Sequence, residues 1–177
     1  MSLIRRSIAV QLLRLMLVVA LWTASEAVWS AQAFAEDVTT VFLVRHAEKD
    51  GPGDNAGLTE AGKARAQALA HVLADAKLSA IFVSSLPRTA LTAQPTEQMT
   101  GLEPLPRNPS KTAEDIRSAF KGKNVLVVGH SDTVGKIAEE LGASGIGVLP
   151  SDAFDRLFVI HLVGDQVVLE RLRYGAP

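Results

Sequence analysis

The chain has 177 residues, no cysteine, 47% hydrophobic and 21% charged residues, and a formal net charge of −1. That length suits one domain, two at most. The balance excludes a disordered or collagen-like chain and a strongly basic nucleic-acid-binding domain. Without cysteine there is neither a disulfide framework nor a thiolate zinc site.

The composition is uneven. Residues 1–35 hold both tryptophans, three arginines and a single acid, Glu26. Arg5 and Arg6 precede an apolar stretch that Arg14 interrupts, and Leu15 to Trp22 then carries no polar side chain. Small and polar residues follow, ending in Ala33-Phe34-Ala35. A basic start, a short apolar run and an A-x-A site predict a signal peptide over 1–35 and a periplasmic or secreted domain over 36–177. The alternative, an uncleaved membrane anchor, takes about 20 apolar residues, and the uninterrupted run here is far shorter.

The rest reads as alternating elements. Val38 to Val44 is a β-branched and apolar strand. Gly51 to Asn55 is a loop by composition. Thr59 is a good N-cap for a helix over Glu60 to Ala76, with Ala64, Ala68, Val72 and Leu73 on the buried face. Leu78 to Val83 is a second strand. Arg88 to Thr100 is helical, with Pro95 either kinking it or marking its start. Leu102 to Pro109, with three prolines, is extended or irregular. Thr112 to Phe120 is a short amphipathic helix that Thr112 can cap. Val125 to Val128, within Asn124 to Gly129, is the strongest buried-strand signal. Thr133 to Leu141 is a helix that Gly142 stops, and Gly145 to Asp152 is a loop. Arg156 to Leu162 and Gln166 to Arg173 form a hairpin around Val163-Gly164-Asp165. This order predicts a three-layer α/β/α sandwich with a mainly parallel sheet and an antiparallel C-terminal edge.

In such a sheet, ligands bind beyond the carboxyl ends of the strands. The first strand ends in Arg45-His46-Ala47-Glu48, the second leads through Ser84-Ser85-Leu86-Pro87 to Arg88, and the Val125–Val128 strand ends in Gly129-His130-Ser131-Asp132. Two imidazoles and two guanidiniums on one rim make an anion site. A histidine there can be a nucleophile, with the cations stabilising a transferring phosphoryl group. No metal or cofactor is needed to supply positive charge, and the flanking arginines disfavour a metal at His46 and His130. His71 and His161, in a helix and a late strand, read as structural.

Val41 to Lys49, Leu58-Thr59-Glu60-Ala61-Gly62, Ser84 to Ala90 with Thr92-Ala93, and Val127 to Ser131 together resemble, in order, the histidine phosphatase superfamily (the phosphoglycerate mutase-like group, first branch). The resemblance runs from about residue 39 to 141. It implies that His46 is the phosphorylated nucleophile and that Arg45, Arg88 and His130 complete the phosphate pocket. Ala47 stands where the group usually has glycine. The segment from Thr100 to Thr112 is too short for the insertion that carries a proton-donating glutamate in the larger mutases. Asp132 is the best local candidate for that proton, with Glu48 second; the competing role for Asp132 is an N-cap.

The resulting expectation is an exported phosphoric monoester hydrolase acting on a small-molecule or glycan phosphate, including an envelope sugar phosphate. The alternatives are a phosphohistidine phosphatase-like enzyme and a non-catalytic periplasmic phosphate-binding module. A nucleic-acid partner is not expected, and membrane contact only through an uncleaved N-terminal segment.

Overall fold

The computed structural model describes residues 38–176; the segment read as a signal peptide lies outside them. The elements are β1 (Val38–Arg45), α1 (Glu60–Val72), β2 (Leu78–Val83), α2 (Pro87–Thr100), β3 (Leu105–Pro106), α3 (Pro109–Ser118), β4 (Asn124–Gly129), α4 (Thr133–Glu140), β5 (Arg156–Val163) and β6 (Gln166–Arg173). They build one six-stranded sheet in the order β3-β2-β4-β1-β5-β6. The pairs β1–β4, β2–β4 and β2–β3 are parallel, and the hairpin adds the antiparallel pairs β1–β5 and β5–β6.

The central strands are apolar on both faces because helices cover both. Alternation along β4 divides the core. Val125 and Val127 join Ala113 and Ile116 of α3 and Val134 and Ile137 of α4. Leu126 and Val128 join Leu69 of α1, Leu73 just after it and Ala93 of α2. Phe82, Leu69, Leu73, Ile116 and Leu126 are among the largest fully buried side chains, and each contributes roughly 1.5–3 kcal/mol of transfer free energy. Among the described residues no helix is long and apolar enough to cross a membrane.

Three local readings are corrected. First, α1 stops at Val72 instead of Ala76, and it buries Gly62, Arg65, Ala66, Leu69 and Ala70. Ala64 and Val72 are exposed. In so alanine-rich a helix the small side chains do not define a stripe. The larger Leu69 and an ion pair made by Arg65 set the face instead. Second, α3 starts at Pro109, where the Asn108 side chain accepts from Lys111 N at 2.8 Å. Asparagine at the cap followed by proline in the first turn is a stronger start signal than Thr112, which is buried one turn inside. Third, α2 starts at Pro87 and runs through Pro95, so Pro95 is not its start.

The N-terminus of α1 presses on the loop after β1. Thr59 N donates to Glu48 O at 2.9 Å, and the Thr59 hydroxyl caps the helix by accepting from Gly62 N at 3.0 Å. A Cβ at Gly62 would lie 2.3 Å from Glu48 O, a backbone atom that cannot swing aside. Gly62→Ala is therefore predicted to destabilise by about 1–3 kcal/mol through overpacking, although alanine favours a helix interior by up to about 1 kcal/mol. Denaturant unfolding reads the difference; an equal or higher midpoint would refute the close approach.

Candidate active site

Parallel pairing of β1 with β4 aligns Arg45 with Gly129. The pairing continues one residue further, where His46 N donates to Gly129 O at 2.8 Å. His46 and His130 are thereby neighbours, with ring centroids 5.3 Å apart and planes at 62°. On the other side of β4, β2 delivers Ser84, and the first turn of α2 delivers Arg88. Arg45, His46, Arg88, His130 and Asp132 all line one cleft of about 410 Å³, with Lys49 and Leu86 among its other walls.

His46 is 4% exposed. Its Nδ1 is 2.8 Å from Ala47 O. A carbonyl only accepts, so Nδ1 carries the hydrogen and the lone pair of the neutral ring sits on Nε2. Burial chiefly, against the upward pull of that carbonyl and with help from Arg45, His130 and Arg88, lowers its pKa from 6.5 to about 4. His130 is also held below the ordinary histidine range, by burial first and Arg88 second, while Asp132 and Asp54 pull the other way.

The two arginines are fixed differently. Arg45 donates through Nη1 to Pro150 O and Ser151 O, both at 2.9 Å, and its guanidinium carbon lies 4.1 Å from the Phe154 ring centroid. Arg88 reaches Asp54 O through Nη1 at 3.4 Å. Among the described residues the Nε of each arginine is buried without a hydrogen-bond partner. Buried donors of this kind are costly unless matched, and a tetrahedral oxyanion offers the acceptors they lack.

The candidate carboxylates diverge. Asp132 lines the cleft; its side chain is 55% exposed, with Lys136 Nζ 3.9 Å away. It occupies the N-cap position of α4 without making a side-chain cap bond. Glu48 does not line that cleft but a second one, which also holds Arg65 and Asp155. The Arg65 fork grips it, Nε at 2.9 Å and Nη2 at 2.8 Å from Oε1. Burial pushes the Glu48 carboxyl up, but the Arg65 hydrogen bonds and its own backbone N–H outweigh this and hold it below its ordinary value. That disfavours Glu48 as a proton donor.

Several supporting residues escaped the sequence reading. Thr92 accepts from Ala47 N at 2.9 Å and donates to Arg88 O at 2.7 Å, tying the His46 loop to the Arg88 turn. Ser84 Oγ is 2.8 Å from His130 Nε2. Arg65 also donates to Tyr174 O at 3.0 Å, pinning the chain beyond β6. Hydroxyl and ion-pair partners leave no periodic trace; only the Ser84 to Ala93 motif marked two of these positions. His71 is exposed on α1, and His161 in β5 lies 3.3 Å from Thr40 Oγ1; neither lines the cleft. Among the described residues no group of three or more His, Asp or Glu side chains can hold a metal ion.

The His46 shift has a consequence for folding. Above its ordinary pKa of 6.5, His46 is neutral folded or unfolded; between 6.5 and about 4 only the unfolded chain takes up the proton. Stability therefore falls as the pH drops through that window, by on the order of 3 kcal/mol from this group. His46→Asn is predicted to flatten the acid side of the stability–pH curve by close to one proton. Denaturant titrations at several pH values test this, and an unchanged slope would contradict a buried neutral imidazole.

The profile of the histidine phosphatase superfamily (branch 1) matches residues 41–109, which include Arg45, His46 and Arg88. No curated protein matches the sequence. Solved structures do. The protein histidine phosphatase SixA complexed with tungstate is 19% identical with a TM-score of 0.61, covering 76% of this chain and 96% of its own. The alpha-ribazole phosphatase from Shigella flexneri is 17% identical with a TM-score of 0.59 at the same coverage. YhfR from Bacillus stearothermophilus is 16% identical with a TM-score of 0.58, covering 74% of this chain and 95% of its own. At such identities the likeness is one of fold. With the matching profile over residues 41–109 and the motifs in their order around one cleft, this chain is similar to the histidine phosphatase superfamily, branch 1.

Proposed function

We propose that the protein is a phosphatase that hydrolyses phosphomonoesters through a phosphohistidine on His46. The observation that carries this reading is a neutral His46, anchored by Nδ1 to Ala47 O, in one cleft with two arginines whose buried Nε groups lack partners among the described residues. In the first step His46 Nε2 attacks phosphorus, the N–P bond forms and the bond to the leaving oxygen breaks. Arg45, Arg88 and His130 balance the charge on the equatorial oxygens. Water then attacks phosphorus, the N–P bond breaks, and phosphate leaves with His46 restored. Asp132 lines the cleft and is the carboxylate we assign to protonation of the leaving oxygen.

A groove of about 430 Å³ continues beside His130, where Leu86, Pro106 and Pro109 alternate with Asp54, Ser84, Ser85 and Asn108. The Ser84, Ser85, Asn108 and Asp54 side chains in this mixed wall can bond hydroxyls of a sugar phosphate; with the signal-like residues 1–35, an envelope sugar phosphate fits an exported enzyme. A second reading, a phosphohistidine phosphatase-like activity, draws support from the acids themselves. Glu48 is locked by Arg65 and Asp132 is largely solvated, and a phosphoramidate leaving group needs little acid help.

The test is turnover of p-nitrophenyl phosphate, sugar phosphates and a phosphoramidate by wild type and His46→Ala. We expect wild-type turnover and a loss of at least about a thousandfold in the variant, as when a nucleophile is removed. Equal rates for the two proteins across the panel would overturn the proposal. Tight phosphate binding without turnover would favour the non-catalytic binding module.

A further inference from the structure

The hydrogen bonds behind His130 fix where its proton sits. Thr89 Oγ1 lies 2.8 Å from Leu86 O and 3.3 Å from Ser84 O. A carbonyl only accepts, so the single Thr89 hydroxyl hydrogen goes to one of these oxygens. Thr89 Oγ1 is also 3.0 Å from Ser84 Oγ. With its hydrogen committed, Thr89 accepts there, and Ser84 donates. The Ser84 hydroxyl then has only lone pairs left. One accepts from Leu86 N at 3.2 Å, and the other faces His130 Nε2 at 2.8 Å. The imidazole must therefore donate through Nε2. Among the described residues Nδ1 of His130 has no hydrogen-bond partner.

We propose that Ser84 is a positioning residue that holds His130 as the Nε2–H tautomer, leaving Nδ1 as the nitrogen offered to the phosphoryl group. Ser84 acts through His130 and does not itself handle the phosphate. Neutral His130 then accepts a P–OH hydrogen from a phosphate monoanion through Nδ1; when protonated, it donates through the same atom to a phosphoryl oxygen. The groups that set its charge around this bond are Arg88 and Arg45, which oppose protonation, and Asp132 and Asp54, which favour it. The catalytic consequence rests on the phosphatase reading above; the tautomer does not.

Nitrogen-15 spectra of the imidazole side chains separate the two, because a pyrrole-type and a pyridine-type nitrogen resonate far apart. At a pH where His130 is neutral, wild type is expected to show Nε2 protonated and Nδ1 bare. Ser84→Ala should convert His130 to a mixture of tautomers. It should also lower kcat/KM on p-nitrophenyl phosphate by about tenfold or more, the scale on which loss of an orienting partner is felt. Ser84→Thr keeps the hydroxyl, and a small, partly open pocket of about 30 Å³ borders both Ser84 and Thr133. This variant should restore the single tautomer and bring kcat/KM to within about threefold of wild type. A wild-type His130 protonated on Nδ1, or a Ser84→Ala protein that keeps the wild-type tautomer, would overturn the proposal. If the protein turns over no phosphate ester, the spectra still decide the tautomer, and the failure belongs to the phosphatase reading alone.

Discussion

The site depends on one backbone hydrogen bond, from His46 N to Gly129 O at 2.8 Å. It carries the β1–β4 pairing one residue beyond the end of β1, so the chain leaves both central strands at the same level. His46 and His130 follow directly from that register, and Arg45 stands opposite Gly129. A slip of one residue would send each side chain to the opposite face of the sheet. The alternating apolar side chains of β4, committed to two separate helix layers, hold the register against such a slip.

Around this frame the polar groups divide into those that hold and those left without protein partners. Carbonyls of Pro150 and Ser151 fix one end of Arg45, while its Nε and that of Arg88 are buried without acceptors among the described residues. Burial and the surrounding cations keep His46 neutral, with its pKa lowered to about 4. The same cluster thus suits an anion and keeps His46 deprotonated. The Glu48–Arg65 pair does a different job. It ties the loop after His46 to α1 and, through Tyr174 O, to the chain end. Removing Arg65 would leave Glu48, only 21% exposed, without its counter-ion.

The sheet was legible because its strands are short β-branched runs that helices bury on both faces. The strand-end residues Arg45, His46, Arg88 and His130 were legible for a related reason: polar residues that terminate apolar runs gather on one rim of a parallel sheet. Where side chains are uniform the signal faded. The stripe of α1 was misplaced because alanine is nearly indifferent to burial. The start of α3 lies at the Asn108-Pro109 pair, inside a proline-rich stretch whose composition reads as extended or irregular. Partners far apart in sequence were not legible at all. Nothing local reveals that Glu48 meets Arg65 or that Ser84 meets His130, since those pairs exist only once the strands are in register.

The central claim is that His46 Nε2 is the phosphoryl acceptor because Nδ1 is committed to Ala47 O. The most direct test is to quench the protein with a phosphoryl donor in acid-free conditions and to determine which histidine, and which ring nitrogen, carries phosphate. Mass spectrometry locates the residue, and phosphorus–nitrogen coupling identifies the atom. The account predicts phosphate on His46 Nε2. Phosphate on His46 Nδ1 or on another residue, or turnover with no phosphoenzyme at any time point, would contradict it.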